Sequence, residues 1–173
     1  MRILVIATMI LFSACQDEVE KVKPDVNWTK NNSTDLSKEI AIQEEIATKI
    51  FLEAHKDWKM TETGSGLKIF IYEKGEVDTV YSPRPGNVVE IEYEIALLDG
   101  TVCDKTEDDE YVDLNVDRSD VESGVQEAIK LMKIDDRAKL IIPSHLGHGL
   151  MGDSENIPPL TTLVVDIHLL VIK

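Results

Sequence analysis

The chain carries two cysteines, 5% aromatic residues and, beyond its first fifteen residues, no long apolar run. Each shortage removes a class of protein. Cys15 and Cys103 cannot form a disulfide framework, and no Cys-x-x-Cys or Cys/His spacing points to structural zinc. An internal transmembrane helix needs about 20 consecutive apolar residues, and none is present. With so few rings, any apolar pocket must be walled by aliphatic side chains. Positive charge is scarce as well: 18 Lys and Arg stand against 33 Asp and Glu, a net charge of −15. Such a chain repels phosphate backbones, so nucleic acid is not a partner, and no basic patch attracts an anionic membrane. Catalytic signatures are missing too. There is no Gly-x-Ser-x-Gly, His-Glu-x-x-His, phosphate-binding loop or dinucleotide fingerprint, which excludes the hydrolases and the NAD and ATP enzymes those motifs mark.

What is present begins with a sorting signal. Arg2 precedes an apolar stretch over 3–14, and Cys15 ends it. A basic start, a short apolar region and small residues before the break describe export. Ser13-Ala14-Cys15 resembles a bacterial lipobox, with Phe12 where Leu is usual. Residues 1–15 are therefore read as a lipoprotein signal peptide with Cys15 as the lipid attachment, the alternative being a plain signal peptide with an incidental cysteine. Acylation would anchor the mature chain to a membrane of the cell envelope, on a periplasmic face or at the cell surface. Residues 16–35 are polar, with Pro24 and the run Asn31-Asn32-Ser33-Thr34, and are expected to form a disordered tether. Over 36–60 the pattern becomes helical. Leu36, Ile40, Ala47, Ile50, Phe51, Ala54 and Trp58 recur at three- and four-residue steps. This stripe is expected to dock on the following domain; the rival is self-association or partner contact through the 36–58 helix.

From Gly64 onward strands take over. Alternation over 67–72 and 88–98 predicts two of them, the second with Val89, Ile91, Tyr93 and Ile95 on the core face and Glu90, Glu92 and Glu94 opposite. Further strands are expected over 112–116, 138–142 and 163–172, with a short helix over 124–132. Many strands, one short helix and no strand–helix–strand alternation give an α+β class, an antiparallel sheet wrapped on a helix. His145 and His148 form His-x-x-His, but Gly147, Gly149 and Gly152 make that segment a loop, where three-residue spacing does not converge on a metal. The acidic segment 104–113 reads as a solvated loop and does not fit the EF-hand register for calcium.

The residues then carry a family resemblance. Gly86-Asn87-Val88-Val89-x-Ile91-x-Tyr93 and Leu98-Asp99-Gly100-x-x-x-Asp104 resemble the opening of an FKBP-type peptidyl-prolyl isomerase domain. So do Gly124-Val125-Gln126-Glu127-Ala128-Ile129, the run Arg137–Pro143, Gly149-x-x-Gly152, and the ending Ile157-Pro158-Pro159-x-x-Thr162-Leu163-Val164-Val165-Asp166-Ile167. The resemblance covers 64–173. Anchor, helix and domain together resemble the FKBP-type gliding-motility lipoproteins of Bacteroidetes.

The resemblance implies rotation about X-Pro bonds of protein substrates, with neither cofactor nor metal. It places Tyr93 as an aromatic wall and Asp104 as a pocket carboxylate, the catalytic pair, with Val121 and Ile157 as lining residues. The backbone N–H of Glu122 falls where a substrate carbonyl is held. Other pocket positions depart from the family: Cys103 and Val112 replace Phe, Val125 replaces Trp, Val165 replaces Phe, and His148 stands where Tyr is usual. Asp153 occupies a position where His is common. Aromatic side chains bury roughly 150–250 Å² each, so these exchanges leave the proline site shallow or roomy. Two functions follow: a weak isomerase and folding helper for exported proteins, or an FKBP-fold binding module without catalysis in a motility or secretion apparatus.

Overall fold

The structure, a computed structural model, describes residues 30–75 and 81–173, with side chains described from Thr34 onward. The signal segment with Cys15, and the expected tether as far as residue 29, lie outside the described residues.

Helix α1 runs Lys30–Ala54. It starts six residues before the expected Leu36, so the last part of the expected tether is helical. Pro24 is the last helix breaker before Leu36, and nothing in Lys30–Asp35 stops propagation. The helix ends at Ala54 rather than reaching Trp58. The His55 ring donates from Nδ1 to the Phe51 carbonyl (2.9 Å), satisfying an end carbonyl, and stacks on the Phe51 ring. Trp58 folds back to meet Phe51 edge-on at 5.6 Å.

The docked face of α1 is only partly the expected apolar stripe. Glu44, Glu45 and buried Thr48 face the domain; of the stripe, Ile40, Phe51 and Trp58 are half-buried, while Leu36, Ala47, Ile50 and Ala54 are exposed. Glu44 Oε1 accepts from the backbone N–H of Ser144 (2.8 Å) and from the Thr162 hydroxyl (3.1 Å). Glu45 Oε2 pairs with the nearly buried Lys68 ammonium at 3.0 Å, which holds its carboxyl below the usual range. The reason is local. The domain presents polar groups at this spot, and buried donors require acceptors.

Seven strands follow among the described residues: β1 (Thr61–Glu62), β2 (Lys68–Glu73), β3 (Val88–Leu97), β4 (Val102–Lys105), β5 (Val112–Asn115), β6 (Arg137–Ile142) and β7 (Leu163–Ile172). They form one antiparallel sheet in the order β1-β2-β6-β7-β3-β4, with β5 also on β3. Strand β3 pairs with β7 along its whole length, and its other edge is shared between β5 at Val88–Ile91 and β4 at Glu94–Ala96. Its alternation sorts as expected. Val89, Ile91 and Ile95 are buried, whereas Glu90 meets Lys173 (2.8 Å) and Glu92 meets His168 (3.0 Å).

Helix α2 (Ser123–Ile129) lies on the buried face of this sheet through Val125, Ala128 and Ile129, with Met132 just beyond it. Its approach is close: a Cβ at Gly124 would stand 2.6 Å from Ile142 Cγ2, so only glycine fits there. The fold is α+β, with the sheet wrapped on α2, as the sequence pattern implied. The short strands β1 and β4 and the 3₁₀ turn Ser144–Leu146 are additions to it.

Candidate active site

The sheet, the start of α2 and the loops over 116–122 and 148–157 enclose a cavity of about 590 Å³. All ten residues singled out from the sequence line it: Tyr93, Cys103, Asp104, Val112, Val121, Glu122, Val125, His148, Ile157 and Val165. Ile91, Ile95, Leu114 and Ile167 complete an aliphatic floor. Sequence reasoning had not assigned these four to the site, although the alternation of β3 placed Ile91 and Ile95 on the same face as Tyr93.

Tyr93 sits mid-strand in β3, opposite Ile167 of β7. Its hydroxyl donates to Asp104 Oδ2 at 2.7 Å. Burial, this hydrogen bond and the nearby negative charge of Asp104 and Glu122 push the phenol up to about 12. The hydroxyl therefore stays protonated at physiological pH, and the ring stands as a wall. Asp104 pairs with Ile95, two residues along β3 from Tyr93 and on the same face, and just beyond this pair β4 carries a bulge. The register shifts between Ile95↔Asp104 and Ala96↔Val102, leaving Cys103 as the extra residue. Bulges re-aim side chains beside functional sites. Cys103 lies 3.5 Å from the Asn156 carbonyl, whose side-chain amide donates back to the Cys103 carbonyl at 3.2 Å. Burial and the carboxylates of Asp153, Asp99 and Asp104 raise its thiol, so it is a wall atom rather than a nucleophile.

The opposite wall is a loop held in shape by its own backbone. Asp153 Oδ1 accepts from the N–H groups of Glu155 (2.8 Å) and Ile157 (2.7 Å), which keeps its carboxyl below the usual range. That turn seats Ile157 at the cavity. Gly152 has φ +66 and lies so close to the Ile157 carbonyl that a Cβ could not be accommodated. His148 Nε2 donates to Glu122 Oε1 at 2.8 Å, joining this loop to the residue before α2. His145 turns the other way, onto the Ser65 carbonyl at 3.0 Å, so the His-x-x-His pair does not converge.

Glu122 caps α2 by position, with its carbonyl accepting the N–H of Gln126. Its own N–H takes no acceptor among the described residues. An unclaimed N–H at the head of a helix, beside an aliphatic cavity, can receive a carbonyl oxygen.

Residues 80–170, more than half of the chain, match the family model described as FKBP-type peptidyl-prolyl cis-trans isomerase. A probable FKBP-type isomerase, FkpA of Neisseria meningitidis, is 31% identical over 151 residues, covering 87% of this chain and 49% of that protein. The outer membrane protein MIP of Legionella longbeachae is 33% identical over 109 residues, covering 63% of this chain and 45% of that one. The chain thus spans about half the length of these relatives. The crystal structure of FkpA from Escherichia coli superposes with a TM-score of 0.65 at 27% identity, over 82% of this chain and 64% of that one. On the family match, and with Tyr93, Asp104 and the Glu122 N–H gathered at one cavity, the chain belongs to the FKBP-type peptidyl-prolyl cis-trans isomerase family.

Proposed function

We propose that this chain is a weak prolyl cis-trans isomerase and folding helper for exported or envelope proteins. The observation that carries the reading is the convergence of Tyr93, Asp104, Ile157 and the unclaimed Glu122 N–H on one aliphatic-floored cavity. The barrier to X-Pro rotation is roughly 18–20 kcal/mol, because amide resonance must be broken. No bond to the enzyme is needed. Ile91, Ile95, Val125, Val165 and Ile167 exclude water around a bound proline, which disfavours the charge-separated planar amide. The Glu122 N–H holds a substrate carbonyl, and Asp104 fixes the Tyr93 ring as a wall. Turnover is weak on this reading because Val125 and Val165 offer the proline aliphatic area where the family offers rings.

Those same exchanges favour a second reading, a binding module without catalysis. One assay separates them: exchange NMR of a Phe-Pro peptide, and refolding of a proline-limited protein, with the detergent-solubilised chain and with Tyr93→Phe. Catalysis by the parent that falls severalfold in Tyr93→Phe supports the isomerase. An uncatalysed rate for both leaves the binding module.

The place of action follows from the export signal and Cys15, and the naming of the Legionella relative as an outer membrane protein is in keeping with it. No described helix is long and apolar enough to cross a membrane, so the proposed hold is a lipid on Cys15. Cys15→Ser is expected to release the chain from the membrane fraction; retention after a high-salt wash would refute the anchor. The likeness to gliding-motility lipoproteins makes an envelope motility or secretion apparatus the proposed setting. The exposed Ile42, Ile46 and Ile50 are in keeping with self-association or partner contact through α1's outer face.

A further inference from the structure

The substrate class can be drawn from the cavity's charge, an inference that rests on the isomerase reading of that cavity. Six carboxylates line it, from Asp104, Asp113, Asp120, Glu122, Asp153 and Glu155, and among the described residues no lysine or arginine does. Asp113 is offset by Lys173 at 2.9 Å. Asp104 and Asp153 accept from a hydroxyl and from backbone N–H groups, which orient a carboxylate without cancelling its charge. Glu122 is the one built into the wall: its side chain is 12% exposed and is fixed by His148 at 2.8 Å. Its carboxylate belongs to the same residue whose N–H is placed to hold the substrate carbonyl, so it stands within about one residue of the bound proline. Charges in a concave, partly dry wall act more strongly than on an open surface. At the rim, Val121 and Val112 are 39% and 43% exposed and offer apolar area to the stem of a long cationic side chain while its head reaches the carboxylates.

We propose that Glu122 is a specificity-determining residue, and that the cavity takes proline flanked by lysine or arginine and rejects proline flanked by aspartate or glutamate.

The test uses the detergent-solubilised full chain and two peptide series, Ala-Xaa-Pro-Phe and Ala-Leu-Pro-Xaa, with Xaa as Lys, Leu or Glu. Isomerisation is read by exchange NMR and binding by chemical-shift titration. The expected result is a preference of about tenfold for Lys over Glu in at least one series at low salt, falling towards unity at about 0.5 M NaCl as the charges are screened. Glu122→Gln keeps a hydrogen-bonding partner for His148 and is expected to cut that ratio about threefold. Asp120→Asn, at an exposed position on the rim, is expected to cut it less, and circular dichroism checks that both variants fold. A parent ratio near one, or a ratio that survives Glu122→Gln in a folded protein, overturns the proposal. Lys-selective binding without isomerisation sustains the specificity and overturns the isomerase reading; unselective isomerisation does the reverse. Absence of both binding and turnover overturns the two together.

Discussion

Glu44→Ala is the perturbation that tests how α1 is held. Glu44 Oε1 is the acceptor for the Ser144 N–H and the Thr162 hydroxyl, and both residues are less than 5% exposed. Leaving a buried donor unsatisfied costs about 1–3 kcal/mol, so two set a range of about 2–6 kcal/mol. A small cleft of about 150 Å³ beside these groups admits water after truncation, which favours the lower end, about 2–3 kcal/mol. For a chain of this size that is a fall of about 4–12 °C in Tm. Glu44→Gln keeps an acceptor oxygen and is expected to cost under about 1 kcal/mol. Thermal unfolding followed by circular dichroism reads both. Equal midpoints for Glu44→Ala and the parent would refute the view that polar groups, rather than the apolar stripe, dock the helix. A chain starting at Gly64 loses the same acceptor together with Glu45, and is expected to fold cooperatively at a lower midpoint than the parent.

Two further expectations concern the cavity and the sheet. Val125→Trp places a ring at the floor; if about half of its ~150–250 Å² meets the ligand, the gain is at most about 3 kcal/mol, or about 150-fold in kcat/KM. Overpacking of about 1–3 kcal/mol at this buried position opposes it, so unchanged turnover with an unchanged melting point would refute missing aromatic area as the limit. Tyr93 and Tyr72 both have folded-state values pushed up to about 12, by burial and by Asp104 and Asp166 respectively, against about 10 for the unfolded chain. The folded state thus holds these protons longer, and stability present below about pH 10 is lost as pH rises towards 12. Absorbance at the phenolate band during a pH melt checks this, and ionisation of both phenols near pH 10 in folded protein would contradict it.

The sheet was legible because β3 alternates apolar and acidic residues over Val89–Ile95 and because the family segments arrive in order. The cavity residues were legible for the second reason alone. No spacing rule joins Tyr93, Glu122 and Ile157; the topology does, by pairing β3 with β7 and closing α2 over both. Helix α1 shows where periodicity misleads. Its expected stripe repeats correctly, yet Leu36, Ala47, Ile50 and Ala54 are exposed while Glu44, Glu45 and Thr48 face the domain. The stripe reports that a helix forms, and not which neighbour it meets. What decided the docked face was the set of buried donors at Ser144, Thr162 and Lys68, which lie far from α1 in sequence and become visible only in the fold. The bulge at Cys103 was illegible for a similar reason. It exists relative to β3, not within β4.

These two kinds of legibility separate what the site retains from what it has exchanged. The unclaimed N–H of Glu122, the turn around Asp153 and the glycine contacts at Gly124 and Gly152 are backbone features, fixed by helix start, loop length and close approach. Side-chain exchange leaves them in place. The floor and rim are side-chain features, and there Val125, Val165 and Cys103 line the cavity together with six carboxylates. A substrate that owed its affinity to aromatic contact loses area at the floor, whereas one with a cationic neighbour meets charge at the rim. On the proposed reading, the backbone frame keeps the geometry for twisting a prolyl bond while the side chains select which proline enters, with Glu122 serving both through different atoms.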